Sequence, residues 1–220
     1  AYRERLVRIW GPVRTELEEV RGLLARWLRA PKAELSEIFR GLQVTAGKLL
    51  RPAMLLLAGR AAGDLTPGHL TAAGAVELLH TASLIHDDIV DGTRLRRGAL
   101  SVQARWGPSE AMLVGDVVFG RALEAVCRSA SPEVPELLTA AARAVSEAEL
   151  LHTHRRADLT LSPAEYLRIV RAKTASLFGL AAGLGALLSS AEGPVRRSLR
   201  RYGRALGVAF QLADDCRDLT

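Results

Sequence analysis

The sequence predicts an all-α protein, and three observations carry that expectation. Of its 220 residues 49% are hydrophobic but only 5% aromatic, so the core must be built from Leu, Ala, Val and Ile. Leu and Ala are strong helix formers. Prolines recur where helices begin, at Pro31, Pro67, Pro108, Pro132, Pro163 and Pro194; the first turn is where a helix tolerates a residue with no N–H. Apolar residues return at helical spacing, and no segment alternates convincingly as a strand. The length suits one core, so residues 1–220 read as a single helical domain, an antiparallel bundle.

Each element has its own signal. Helices are predicted over 13–29 and 33–44, separated by Pro31, and over 50–62. The next, 67–90, opens at Pro67 and is stopped by Gly92, because glycine readily takes the left-handed conformation that ends a helix. Residues 92–107 form a loop or short helix carrying Arg94, Arg96 and Arg97. Helices over 109–130 and 134–156 follow Pro108 and Pro132. Ser162-Pro163-Ala164-Glu165 supplies an N-cap, a first-turn proline and a capping-box glutamate for a helix over 163–190. The last helix, 195–218, follows Pro194. No low-complexity linker or solenoid-length repeat interrupts the series.

Charge and cysteines exclude several classes. The net charge of +6 is spread along the helical segments, with no basic stripe interleaved with aromatics. Nucleic acid is therefore not an expected partner. Two cysteines, Cys127 and Cys216, make no disulfide framework and suit a reducing, cytoplasmic setting. Charges appear from Arg3 onward, against a signal peptide. The uncharged stretch 174–191 holds Gly179 and Gly183 at GxxxG spacing. It is short and poor in large apolar residues, so it reads as a core helix and not a transmembrane segment.

The aspartates are the sharpest signal. There are nine, and six fall in two runs of one pattern: Asp87, Asp88 and Asp91, then Asp214, Asp215 and Asp218. On a helix, positions i and i+4 share a face, so Asp87 and Asp91 project together, as do Asp214 and Asp218. Such clustered carboxylates repel one another unless a cation sits among them. Hard oxygen ligands with room for water and phosphate suit Mg²⁺, with Mn²⁺ as an alternative. The two runs suggest two helices facing across a bundle cavity.

Cations to match are present. Lys48 and Arg51 stand three apart before a helix, Arg96 and Arg97 follow the first aspartates, and Lys173 precedes the long uncharged stretch. Arginine grips phosphate in bidentate fashion, and lysine serves as a point charge. Ala75, Leu78, Leu79, Ala82 and Ser83 precede the first run, and Gly207, Val208, Phe210 and Gln211 the second. A charged mouth over an apolar shaft implies a substrate with a polyphosphate head and a hydrocarbon tail.

These segments resemble the trans-isoprenyl diphosphate synthases, or polyprenyl synthetases. The resemblance lies in GKLLRP at 47–52, ELLHTASLIHDDIVDGTRLRRG at 77–98, VGDVVFGRAL at 114–123, AEYLRIVRAKTASLFGLAAGLGA at 164–186 and GVAFQLADDCRDL at 207–219. It implies an isoprenoid-synthase bundle with a deep central cavity, a homodimer, and elongation of an allylic diphosphate by isopentenyl diphosphate. By position, Asp87, Asp88 and Asp91 would hold Mg²⁺ on the allylic diphosphate, joined by Asp214, Asp215 and Asp218. Arg96 would contact that diphosphate. Lys48, Arg51, Arg97 and the Gln103 position would hold isopentenyl diphosphate, and Lys173, Thr174 and Gln211 would sit at the ionising end. Asp87, Asp88, Asp91, Lys173 and Asp214 form the catalytic set.

The chain departs from the family pattern at Leu49, where many members are basic, at Gln103, where many have His, and at His152, where Gln is frequent. It also stops at Thr220, where relatives continue, so a C-terminal segment is expected to be missing. Short-product relatives often place a ring four or five residues before the first aspartate. Here those positions are Ser83 and Ala82, which implies a medium or long all-trans product. The alternatives are a non-catalytic subunit of a heteromeric synthase and a class I terpene cyclase. Six intact aspartates weigh against the first, and a second aspartate run with few aromatics against the second.

Overall fold

The structure, a computed structural model, describes residues 8–44, 47–155 and 160–218, less the side chains of residues 43, 44 and 218. The fold is all-α. Past a 3-10 turn at Gly11–Val13 runs α1 (Arg14–Trp27), and past a second at Ala33–Leu35 runs α2 (Ser36–Val44). Then come α3 (Leu50–Ala62), α4 (Pro67–Val90), α5 (Val102–Trp106), α6 (Pro108–Cys127) and α7 (Glu133–His154). The series closes with α8 (Pro163–Val170), α9 (Ser176–Leu188) and α10 (Gly193–Asp218).

Two features depart from the prediction. The segment expected to hold no strand contains a minimal hairpin, β1 (Leu95–Arg96) with β2 (Ala99–Leu100), pairing Leu95 with Leu100 and Arg96 with Ala99. Its two-residue turn puts Arg97 at φ 52° and Gly98 at φ 81°, the doubly left-handed turn that matches strand twist. Four strand residues are too few for an alternating pattern to be visible in sequence. The helix expected over 163–190 is broken by a π turn at Arg171–Ala175 between α8 and α9.

By their contacts the residues form two compact units. The first holds residues up to Ala53 with Leu70–Arg128, the second Met54–His69 with Ser129 onward. In the first, α1 buries Leu17, Val20 and Leu24, and α6 buries Val114, Val118 and Ala122; both are single helical stripes. In the second, every residue of α9 from Leu177 to Ala186 is buried. That explains its uncharged composition without a membrane, and among the described residues no helix is long and apolar enough to cross one. The helices α9 and α10 pack closely: a Cβ on Gly203 would lie 2.5 Å from the Phe178 carbonyl oxygen, so no larger residue fits there.

A buried histidine ties the second unit together. The Nδ1 of His69 accepts from the Thr66 backbone N–H at 2.9 Å, and its Nε2 lies 3.1 Å from the Gly185 carbonyl and 3.0 Å from Ser189 Oγ. The ring is therefore neutral with its proton on Nε2. Burial holds its pKa below the usual 6.5 despite those hydrogen bonds. A lowered histidine pKa means that the unfolded chain binds the proton more readily, so stability is fully present above about pH 6.5 and lost as pH falls below it. Urea midpoints measured from about pH 7.5 down to about pH 5 should fall more steeply for wild type than for His69→Gln. Parallel slopes would show that His69 carries none of the acid sensitivity.

Candidate active site

Asp87 and Asp88 stand on the last turn of α4 and Asp91 just past its end, and the backbone shows why the helix ends there. Gly92 sits at φ 62°, its N–H donates to Ile89 O at 3.3 Å, and the Thr93 N–H donates to Asp88 O at 2.9 Å. This is the glycine-terminated cap expected from sequence. It leaves Asp87, Asp88 and Asp91 at the negative end of the helix dipole, the unfavourable end for anions. A cation is needed to offset that.

For Asp88 the cation is Arg96. The buried carboxylate accepts from Arg96 Nε at 2.8 and 3.0 Å. The hairpin makes this possible by folding Arg96 back onto α4. The connection is braced: Ser101 Oγ donates to Thr93 O at 2.6 Å, and Gln103 Nε2 donates to the same carbonyl at 2.8 Å. Gln103, expected at isopentenyl diphosphate, thus braces the loop through its amide nitrogen. Asp87 is half-buried and Asp91 exposed.

Beside Arg96 lies a cavity of about 260 Å³. Leu24, Leu28, Leu42, Leu49, Leu84 and Trp106 form its apolar wall, and Glu77, His80, Asp88, Arg96 and Arg97 its polar face. Leu49 is buried here at φ 52°, a strained setting for a bulky residue. It separates exposed Lys48 from buried Arg51. Burial pushes the Arg51 guanidinium down to about 10, partly offset by Glu77, so it is still charged at neutral pH. Burial raises the Glu77 carboxyl against the pull of Arg51, Arg97 and Arg21.

His80 was missed by the sequence reading. Burial first, then Arg51, Arg97 and Arg96, hold its pKa well below the usual value. A neutral imidazole among arginines can give one hydrogen bond to a phosphate oxygen without adding charge. The available signal was its place one turn from Glu77 and Leu84 on the face of α4 that carries Asp88.

The second unit holds the other half of the predicted set. The ammonium of Lys173, on the π turn, pairs with Glu149 of α7. Thr174 Oγ1 donates to Gln211 Oε1 at 2.8 Å, and Gln211 Nε2 donates to Asp215 Oδ1 at 2.7 Å. The other Asp215 oxygen accepts from the Tyr166 hydroxyl. Burial and this carboxylate push Tyr166 up to about 12. Asp214 is half-exposed, 3.5 Å from Arg217, and the side chain of Asp218 lies outside the described residues.

Among the described residues no three His, Cys, Asp or Glu side chains form a closed ion cage. Mg²⁺ does not require one, since it is bound through one or two carboxylates plus water and substrate phosphate. The hard oxygens of half-buried Asp87 and exposed Asp91, one turn apart, fit that donor set, as does Asp214.

The polyprenyl synthetase family model matches residues 32–220. The chain is 37% identical over 172 residues to the octaprenyl diphosphate synthase of Escherichia coli K12, covering 78% of this chain and 53% of that protein. To the geranylgeranyl diphosphate synthase of Methanosarcina mazei it is 38% identical over 192 residues, covering 85% and 59%. The crystal structure of a polyprenyl synthase from Caulobacter crescentus CB15, complexed with calcium and isoprenyl diphosphate, superposes with a TM-score of 0.90. That match has 40% identity and covers 96% of this chain and 64% of that one. The chain thus spans between about half and two thirds of the proteins it resembles. With the aspartate runs, the cationic cavity and an all-α frame in place, the chain belongs to the polyprenyl synthetase family.

Proposed function

We propose that the chain is a trans-prenyltransferase that joins an allylic prenyl diphosphate to isopentenyl diphosphate. The observation that carries this is the cavity beside Arg96, where arginines and a neutral histidine meet a leucine wall. That pairing fits a diphosphate bearing a hydrocarbon chain. Asp87 and Asp91 in the first unit and Asp214 in the second are metal-binding carboxylates, while Asp88 and Asp215 are turned toward protein donors; the Asp218 side chain lies outside the described residues. A bound Mg²⁺ or Mn²⁺ would neutralise the departing diphosphate. The calcium in the Caulobacter crescentus relative supports a divalent ion in the family.

In the first unit Arg51, Arg97, Lys48 and His80 hold isopentenyl diphosphate and Arg96 holds the allylic diphosphate; in the second, Lys173, Thr174 and Gln211 are assigned to the ionising end. The allylic C–O bond breaks with its electron pair leaving on diphosphate. The resulting cation is attacked by the double bond of isopentenyl diphosphate, and a proton is lost from the adduct. No side chain acts as a nucleophile; the protein places charge and excludes water. Incubation with isopentenyl diphosphate, an allylic primer and Mg²⁺, followed by mass analysis, tests this. Absence of any product five carbons longer, or product undiminished in excess chelator, sinks it.

We infer a homodimer. The apolar Met112, Leu113 and Val117 of α6 are 51%, 60% and 40% exposed, a patch of the kind that marks a partner surface. A light-scattering mass of one chain at micromolar concentration overturns this.

The product is longer than farnesyl. Ala82 is small and buried, and the Ser83 hydroxyl is turned onto its own helix, donating to His80 O at 2.9 Å. Neither supplies the ring that would stop a growing chain. Ala82→Phe should give shorter products from a still active enzyme, at an overpacking cost of about 1–3 kcal/mol. A wild type that already stops at farnesyl, or a variant with unchanged products, refutes the assignment.

A further inference from the structure

The geometry points to Tyr166 as a positioning residue for the ionising end of the allylic substrate, acting through Asp215 on Gln211 and through Gln211 on Thr174. The inference rests on the prenyltransferase reading above. It follows from donor and acceptor accounting. A primary amide is nearly isosteric to its own flip, so packing alone does not decide which way Gln211 points. Asp215 decides it, because an ionised carboxylate only accepts. The amide nitrogen must face Asp215, at 2.7 Å, and the amide oxygen must face Thr174, at 2.8 Å.

Thr174 therefore spends its single hydroxyl proton on Gln211 and offers lone pairs, while Gln211 retains a second N–H to offer. The polarity of this surface is set by one carboxylate. That carboxylate could rotate about its own side chain if α10 alone held it. Tyr166 on α8 donates to its second oxygen, so Asp215 is gripped from two helices. Charge-assisted hydrogen bonds of this kind are roughly twice as strong as neutral ones. The π turn completes the arrangement by turning Thr174 toward α10, and π turns in helices are frequent at functional sites. Of the four residues, only Tyr166 is outside the expected substrate and metal set.

The composition allows a direct test. The chain has no asparagine and three glutamines, Gln43, Gln103 and Gln211, so its ¹⁵N side-chain amide spectrum contains only three pairs. Gln211→Glu assigns the third. In substrate-free protein, Tyr166→Phe should move the Gln211 pair and speed its exchange with water, leaving the pairs of Gln43 and Gln103 in place. Asp215→Asn should do the same. In turnover, Tyr166→Phe should raise KM for the allylic diphosphate about tenfold, the size of one hydrogen bond to a charged group. KM for isopentenyl diphosphate should hold within about twofold, and affinity for an unreactive allylic thiolodiphosphate should fall by the same tenfold factor. The double variant should lose no more than either single one. An unmoved Gln211 pair, wild-type affinity for the analogue, or additive losses in the double variant overturn the proposal. A wild type that forms no elongated product overturns the prenyltransferase reading and the substrate role with it, whereas an unmoved Gln211 pair in an active enzyme overturns the positioning proposal alone, because the amide spectrum is recorded without substrate.

Discussion

Alanine in place of Asp87 or Asp214 is expected to lower turnover by roughly a hundredfold to a thousandfold, the scale of losing one preorganised contact to a developing charge. Neither residue contributes to the core. Asp87 is half-buried and Asp214 half-exposed, and removing Asp87 relieves repulsion at the negative end of α4. The circular dichroism spectrum should therefore stay helical and the melting temperature should hold or rise. Loss of activity with gain of stability is the signature of a carboxylate placed for function. Turnover within a factor of about three of wild type would show that the run had been misassigned.

Arg51→Ala should act in the opposite way, on stability and activity together. Arg51 and Glu77 are both buried and offset one another's charge. Removing one member of a buried charge pair leaves the other desolvated, at a cost of about 3–5 kcal/mol. A paired replacement, Arg51→Met with Glu77→Leu, should restore most of that stability, because a well-packed apolar pair of similar volume is often neutral. It should not restore activity, since the cation assigned to isopentenyl diphosphate is still gone. Recovery of turnover in the paired variant would show that Arg51 serves the fold alone. Failure to recover stability would show that the charges are not the reason for the loss.

The helices were legible in the sequence because their ends are marked chemically. Ser162, Pro163 and Glu165 form the capping box that their order predicts, with Ser162 Oγ accepting from the Glu165 N–H at 3.3 Å. Gly92 ends α4 as glycine should. The aspartate runs were legible because charge at helical spacing is costly without a partner. The partners were less legible. That Arg96 returns to Asp88 depends on a hairpin of four strand residues, below the length at which alternation is visible. That His80 lines the cavity while the Gln103 amide turns to Thr93 O is set by the course of the backbone, which their places in the sequence do not show. The π turn had no signal, because a single added residue in a helix leaves the apolar pattern nearly intact. Tyr166 was hidden for a plainer reason. It lies 49 residues from the carboxylate it holds.

The two-residue turn between β1 and β2 has a bearing on which changes this segment can absorb. Surface connections usually tolerate insertions well and owe little to their exact length. This one is a spacer of fixed count: Arg96 reaches Asp88 across an interval of eight positions, and strand side chains alternate sides at every step. One inserted residue before Arg96 would carry the guanidinium to the far side and aim its neighbour at the carboxylate. The segment should therefore accept many substitutions at Leu95 and Leu100, both largely exposed, yet reject single insertions and deletions. Related chains that carry a longer connection here would have to find another counter-ion for this carboxylate.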